Sequence, residues 1–173
     1  VFKKSWIGYG EQVQKFEKEW SKFFGVKHSI AVNSCTAALH LSLLCNNFKK
    51  GKKVLVPAIT FSATAAAVLY CGLIPVFVDI NKEDLNINLE DLKKKFTKDC
   101  VAVMPVHFGG HPCEMDKIMS WANQKNLIVI EDCAETCGGY FKGKKIGTWG
   151  HFGCFSFEEK KMMTTGDGGM ITT

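Results

Sequence analysis

Apolar positions recur at Val13, Phe16, Trp20 and Phe23, in steps of three and four residues, and Gly25 follows. That spacing predicts an amphipathic helix over residues 11–24, closed by the glycine. The period then changes. Short β-branched runs appear at Ser29–Val32, Val54–Val56, Pro75–Ile80, Val101–Pro105 and Leu127–Ile130. Between them lie helical candidates at Thr36–Cys45, Ser62–Cys71, Leu89–Phe96 and Glu114–Asn126. Continuously apolar strands alternating with helices predict an α/β fold, a mostly parallel sheet with helices on both faces. Beyond Cys133 the pattern turns to short strands at Gly139–Phe141, Phe152–Phe157 and Gly169–Thr172.

Composition adds limits to this picture. The 173 residues are 46% hydrophobic and 23% charged, which suits one globular unit, 1–173, without repeats or internal linker. The chain opens without Met and stops on Met170–Thr173, which reads as an unfinished strand, so a fragment of a longer polypeptide is expected. The net charge of +5 comes from lysines spread along the chain without aromatic interleaving, the pattern of solvated loops and helix ends. No nucleic-acid partner is expected from it. The eight cysteines include no C-x-x-C pair, and most lie in apolar runs, as Cys45, Cys71 and Cys154 do. They read as reduced, structural thiols of a cytoplasmic protein, with no metal site. No apolar run is long enough to span a membrane.

In parallel sheets ligands collect at the carboxyl ends of strands, and here those ends carry unusual residues. In Asn33–Ala37, Ser34 or Thr36 can cap a helix whose first N–H groups would suit a phosphate; a plain cap is the simpler alternative. Glu131 and Asp132 directly follow a buried strand, where a carboxylate is costly unless a cation or several donors meet it. Asp132 could instead cap a short helix starting near Ala134. Phe61, at another strand mouth, is either core or a platform for a planar group. In Phe155–Phe157, alternation puts both phenylalanines on one face and Ser156 on the other, and Lys161 follows five residues later. Lys160 and Lys161 alone would read as a surface pair. Together, a phosphate-binding helix start, an acid at a strand end and a lysine near a serine are the parts a pyridoxal phosphate site needs.

The stretches "GYGEQVQKFEKEW", "NSCTAALHLSLL", "VLVPAITFSATAAAVLYCGLIPVFVDI", "PVHFGG", "IEDCAE", "YFKGKKIGTWGHFGCFSF" and "KMMTTGDGGM" resemble, in order and spacing, the DegT/DnrJ/EryC1/StrS family of nucleotide-sugar aminotransferases. The resemblance implies the large domain of a fold type I pyridoxal 5'-phosphate enzyme, a seven-stranded sheet sandwiched by helices, with the family's carboxyl-terminal small domain absent. It aligns Lys161 with the Schiff-base lysine and Asp132 with the acid under the pyridine nitrogen. It aligns Phe61 with the aromatic that stacks on the ring, and Thr36, Ala37 and Ser156 with the phosphate site. Glu135 stands where the family usually has Gln or His beside the phenolic oxygen, and its carboxylate would repel a phenolate unless one of them is protonated. Asp167 replaces the family's usual Glu. Lysine at 161 argues against the dehydratase branch, which has histidine there. The implied substrates are an amino-acid donor, glutamate in relatives, and a nucleotide-linked keto sugar, for polysaccharide or amino-sugar biosynthesis. The implied active assembly is a homodimer, so the isolated piece is expected to be inactive. A PLP-binding domain of other specificity, or a sensor, is the competing expectation.

Overall fold

The computed structural model describes residues 8–173; the first seven residues of the expected 1–173 unit lie outside them. Helix α1 (Glu11–Phe24) ends at Gly25, which takes the left-handed conformation (φ 72°) and donates its N–H to the Ser21 carbonyl. There follow β1 (Ser29–Val32), α2 (Cys35–Leu44), β2 (Lys53–Pro57), α3 (Ser62–Tyr70), β3 (Ile74–Val78), α4 (Leu89–Lys95) and β4 (Cys100–Val103). A 3-10 turn (Phe108–Gly110) precedes α5 (Met115–Gln124) and β5 (Ile128–Cys133). The chain closes with a small hairpin, β6 (Tyr140–Phe141) and β7 (Lys144–Lys145), then β8 (Phe152–Ser156) and β9 (Gly169–Thr172).

Seven strands form one sheet in the order β1-β9-β8-β5-β4-β2-β3. The pairs β2–β3, β2–β4, β4–β5 and β5–β8 are parallel, and only β9 runs against its neighbours. The mostly parallel seven-stranded sheet is therefore as the sequence implied.

Strand residues alternate between two cores, which is why the strands read as unbroken apolar runs. Leu55, Val103, Val129, Phe155 and Met170 pack with Trp20 and Phe24 of α1 and Met115, Ile118 and Trp121 of α5. Their neighbours Val54, Val56, Ala102, Met104, Ile130, Cys154 and Ile171 pack on the other face with Ala38, Leu39 and Leu43 of α2 and Ala67 and Val68 of α3. Phe155 and Phe157 share the first core, as alternation required, and Ser156 points the other way.

Three expectations change. Strand β5 runs to Cys133, so Glu131 and Asp132 lie within it rather than after it, held by pairing of Glu131 with Gly153 and of Asp132 with Cys154 on β8. No helix starts near Ala134; the segment turns, and Asp132 Oδ1 accepts the Ala134 N–H as in an Asx turn. Cys45 is exposed at the end of α2 rather than packed, although all eight cysteines are free. Among the described residues, no helix is long and apolar enough to cross a membrane.

Candidate active site

The carboxyl ends of β1, β2, β5 and β8 open on one cavity of about 510 Å³. Its walls include Thr36, Phe61, Asp132, Glu135, Ser156 and Lys161, six of the seven residues singled out in the sequence. The seventh, Ala37, sits in the first turn of α2, where its N–H donates to Ser34 Oγ at 3.1 Å. Ser34 is thus the cap of α2, and Thr36 lies inside the helix. The Ala38 N–H is taken by the Ser34 carbonyl. By the rule that the first turn of a helix has no intrahelical acceptors, the N–H groups of Cys35 and Thr36 are those left to face an anion.

Gly169 fixes this corner. As β9 begins beside Ser156 and Val32, its α-carbon lies against the Ser34–Cys35 peptide, and an added Cβ would come within 2.6 Å of the Ser34 carbonyl carbon. The obstacle is backbone on both sides, so nothing flexible can yield. Gly169→Ala is expected to cost about 2 kcal/mol or more and to weaken phosphate binding to the protein. A urea titration together with a phosphate competition assay would check both.

The adjacent acids of β5 serve opposite faces. Glu131 is fully buried and saturated: Oε1 accepts the N–H groups of Trp149 and Gly150, both at 2.7 Å, and Oε2 accepts Gly147 N–H at 2.9 Å. Its fourth donor is His107 Nε2, at 3.1 Å. The ring's Nδ1 accepts the Cys113 N–H, so the proton must sit on Nε2 and the imidazole is neutral. His107, Glu131 and Cys133 come within 4.8 Å of one another. Because both ring nitrogens and both carboxylate oxygens are already engaged, this trio is a structural knot and offers a metal nothing.

Asp132 points into the cavity with far less support. It is 4% exposed, with Thr64 Oγ1 donating to Oδ2 at 2.8 Å and Ala134 N–H donating to Oδ1 at 3.1 Å. Burial pushes its proton affinity above the ordinary carboxylate value, and the Thr64 and Ala134 donors oppose that shift. Cys35 Sγ lies 3.9 Å from Oδ1. Burial raises this thiol well above its usual range, Asp132 raises it further, and Lys161 acts in the opposite sense.

Both lysines of the pair line the cavity; Lys160 is exposed and Lys161 half-buried. Phe61 caps the lip at 76% exposure, ahead of α3. Glu135 is turned toward the 3-10 turn, where its Oε2 accepts the Gly109 N–H at 2.6 Å. Asp167, also in the wall, accepts the N–H of Gly168. Sequence reading passed over Thr60 and Thr64, whose hydroxyls lie 2.7 Å apart. Their only local signal was a pair of threonines four residues apart across a helix start.

The sequence matches the DegT/DnrJ/EryC1/StrS aminotransferase family model over residues 1–173. GDP-perosamine synthase of Escherichia coli O157:H7 is 42% identical over 170 residues, covering 98% of this chain and 47% of its own. The X-ray structure of the aminotransferase from Psychrobacter cryohalolentis superposes with a TM-score of 0.92 at 39% identity, over 95% of this chain and 42% of its own. The E. coli GDP-4-keto-6-deoxy-D-mannose-3-dehydratase with bound hydrated PLP gives 0.90 at 34% identity, over 95% and 44%. The chain spans less than half the length of each of these relatives.

Proposed function

We propose, from the premise that the chain belongs to the DegT/DnrJ/EryC1/StrS aminotransferase family, that its residues form the cofactor-binding large domain of a pyridoxal-phosphate-dependent sugar aminotransferase. The amino group would pass from an amino acid, glutamate in our reading, to a keto sugar carried on a nucleotide. One observation carries the reading: Asp132 and Lys161 meet the start of α2 at a single cavity.

The cavity fits the cofactor in three respects. A buried carboxylate with two short-range donors is suited to a cationic ring N–H, which would offset its desolvation. The start of α2, with Thr36 and Ser156 beside it, suits a phosphate dianion. The exposed face of Phe61 gives a planar ring an apolar surface to cover. When bound, pyridoxal phosphate supplies an aldehyde that bonds an amine and a ring that takes up electrons from a breaking C–H bond.

The chain's own residues divide the remaining work. Lys161 Nζ would be the amine that holds the cofactor and, once released from it, the group that takes up a proton and returns it. Asp132 would hold the ring nitrogen's proton in place. Glu135, which accepts the Gly109 N–H, would keep its carboxylate engaged there when the cofactor binds. A lysine at 161 argues against the dehydratase branch of the family. The exposed apolar side chains Leu41, Leu44, Leu69 and Tyr70 on α2 and α3 support a second copy as partner, and a cytoplasmic setting is consistent with eight free thiols.

The test is to mix the intact, dimeric protein, of which this chain supplies the cofactor-binding part, with pyridoxal phosphate, glutamate and a nucleotide-linked keto sugar. Cofactor uptake should give a visible absorbance band, and amino transfer should release 2-oxoglutarate. Absence of cofactor uptake would sink the assignment. Uptake without exchange from any amino acid would favour a ligand-sensing domain instead.

A further inference from the structure

We infer that Thr64 is the positioning residue for Asp132, and that Thr60 sets the direction of its hydrogen bond; the inference rests on the cofactor-binding reading above. Thr64 lies in the first turn of α3 and is wholly buried. Its Oγ1 is 2.7 Å from Thr60 Oγ1 and 2.8 Å from Asp132 Oδ2. A hydroxyl has one proton to give, and an ionised carboxylate can only accept. Thr64 therefore donates to Asp132, and Thr60, which lines the cavity, donates to Thr64. If Asp132 were protonated on Oδ2, the chain would have to run the other way. The orientation of the two hydroxyls and the absence of a proton on Oδ2 are thus one variable.

This geometry commits Oδ2 and presents Oδ1 to the cavity. Among the described residues, Oδ1 accepts only the Ala134 N–H at ordinary hydrogen-bond distance. The Cys35 thiol, 3.9 Å away, has one proton and a nearer acceptor in the Cys154 carbonyl at 3.5 Å. The titratable groups around Asp132 are His107, Glu135 and the thiols of Cys35, Cys133 and Cys154, with Glu158, Lys160, Lys161 and Asp167 facing it across the cavity, unchanged in every variant below and so common to all of them. His107 is held neutral by its tautomer, the thiols are buried, and Glu135 raises rather than lowers the acid's proton affinity. Against burial, the Thr64 hydroxyl is the foremost group favouring the ionised form. Thr64 is wholly buried behind the cavity wall, so it acts through Asp132.

Three variants test the inference in the intact protein, with pyridoxal phosphate affinity measured by absorbance titration across pH. Thr64→Val keeps the shape and deletes the hydroxyl, Thr64→Ser restores a hydroxyl, and Thr60→Val removes only the upstream donor. Cofactor binding needs ionised Asp132, so Thr64→Val should weaken it about tenfold near neutrality and move the acid limb of the affinity profile to higher pH. Titration of the free cofactor is common to all samples and cancels. Thr64→Ser should restore both readouts, and Thr60→Val should displace the limb the same way by less. A merely structural threonine would lower affinity equally at every pH, and that outcome overturns the inference, as does a Thr64→Val protein matching its parent. Should Thr64→Val not fold, an unmoved acid limb in Thr60→Val overturns it equally. A parent protein that takes up no cofactor overturns the functional reading and this inference with it, whereas normal uptake with an unmoved limb sinks only the latter.

Discussion

Borohydride treatment of the protein loaded with pyridoxal phosphate is expected to fix the cofactor to Lys161 and to leave a Lys161→Ala variant unmodified. The expectation follows from where the amine sits. Lys160 and Lys161 both border the cavity, but Lys161 is half-buried. Lys160 is exposed. Amino transfer should fall at least about a thousandfold without the amine, since it is both attachment point and proton carrier. Lys160→Ala should retain fixation. Mass spectrometry of the reduced proteins decides between the two lysines, and fixation persisting in Lys161→Ala would refute the assignment.

The second large effect concerns folding rather than chemistry. Glu131→Ala would strand three backbone N–H groups, those of Gly147, Trp149 and Gly150, together with His107 Nε2–H, all around one buried point. An unsatisfied buried donor costs roughly 1–3 kcal/mol, so a loss of at least about 3 kcal/mol is expected even if water enters to meet some of them. The urea midpoint should fall with little change in slope. A Glu131→Ala protein as stable as its parent would mean that the segment 147–150 relaxes without cost, contrary to its close packing against Val129 and Phe155.

Much of this architecture was legible because burial on both faces leaves a strong mark. The runs at Ser29–Val32 and Gly169–Thr172 coincide with β1 and β9, and Gly25 ends α1 as its position suggested. Strand β5 was read short because two acids look like the end of an apolar run; only the pairing partner across the sheet keeps Asp132 in strand conformation, opposite Cys154. The same holds at the site. Residues at strand ends and helix starts could be picked out locally. Thr64 could not, since it reaches Asp132 across 68 positions of sequence and looks by itself like any threonine in a helix's first turn. Likewise the alternation of a strand placed Glu131 and Asp132 back to back, while the donors that meet Glu131 lie in a glycine-rich loop without periodicity.

That back-to-back arrangement puts scaffold and chemistry one peptide bond apart. A one-residue slip of β5 against β8 would exchange the two carboxylates, presenting the saturated one to the cavity and thrusting the sparse one among backbone donors. The segment from Gly147 to Gly150 therefore works as a gauge: by gripping Glu131 from behind, it sets where along the sheet Asp132 must stand.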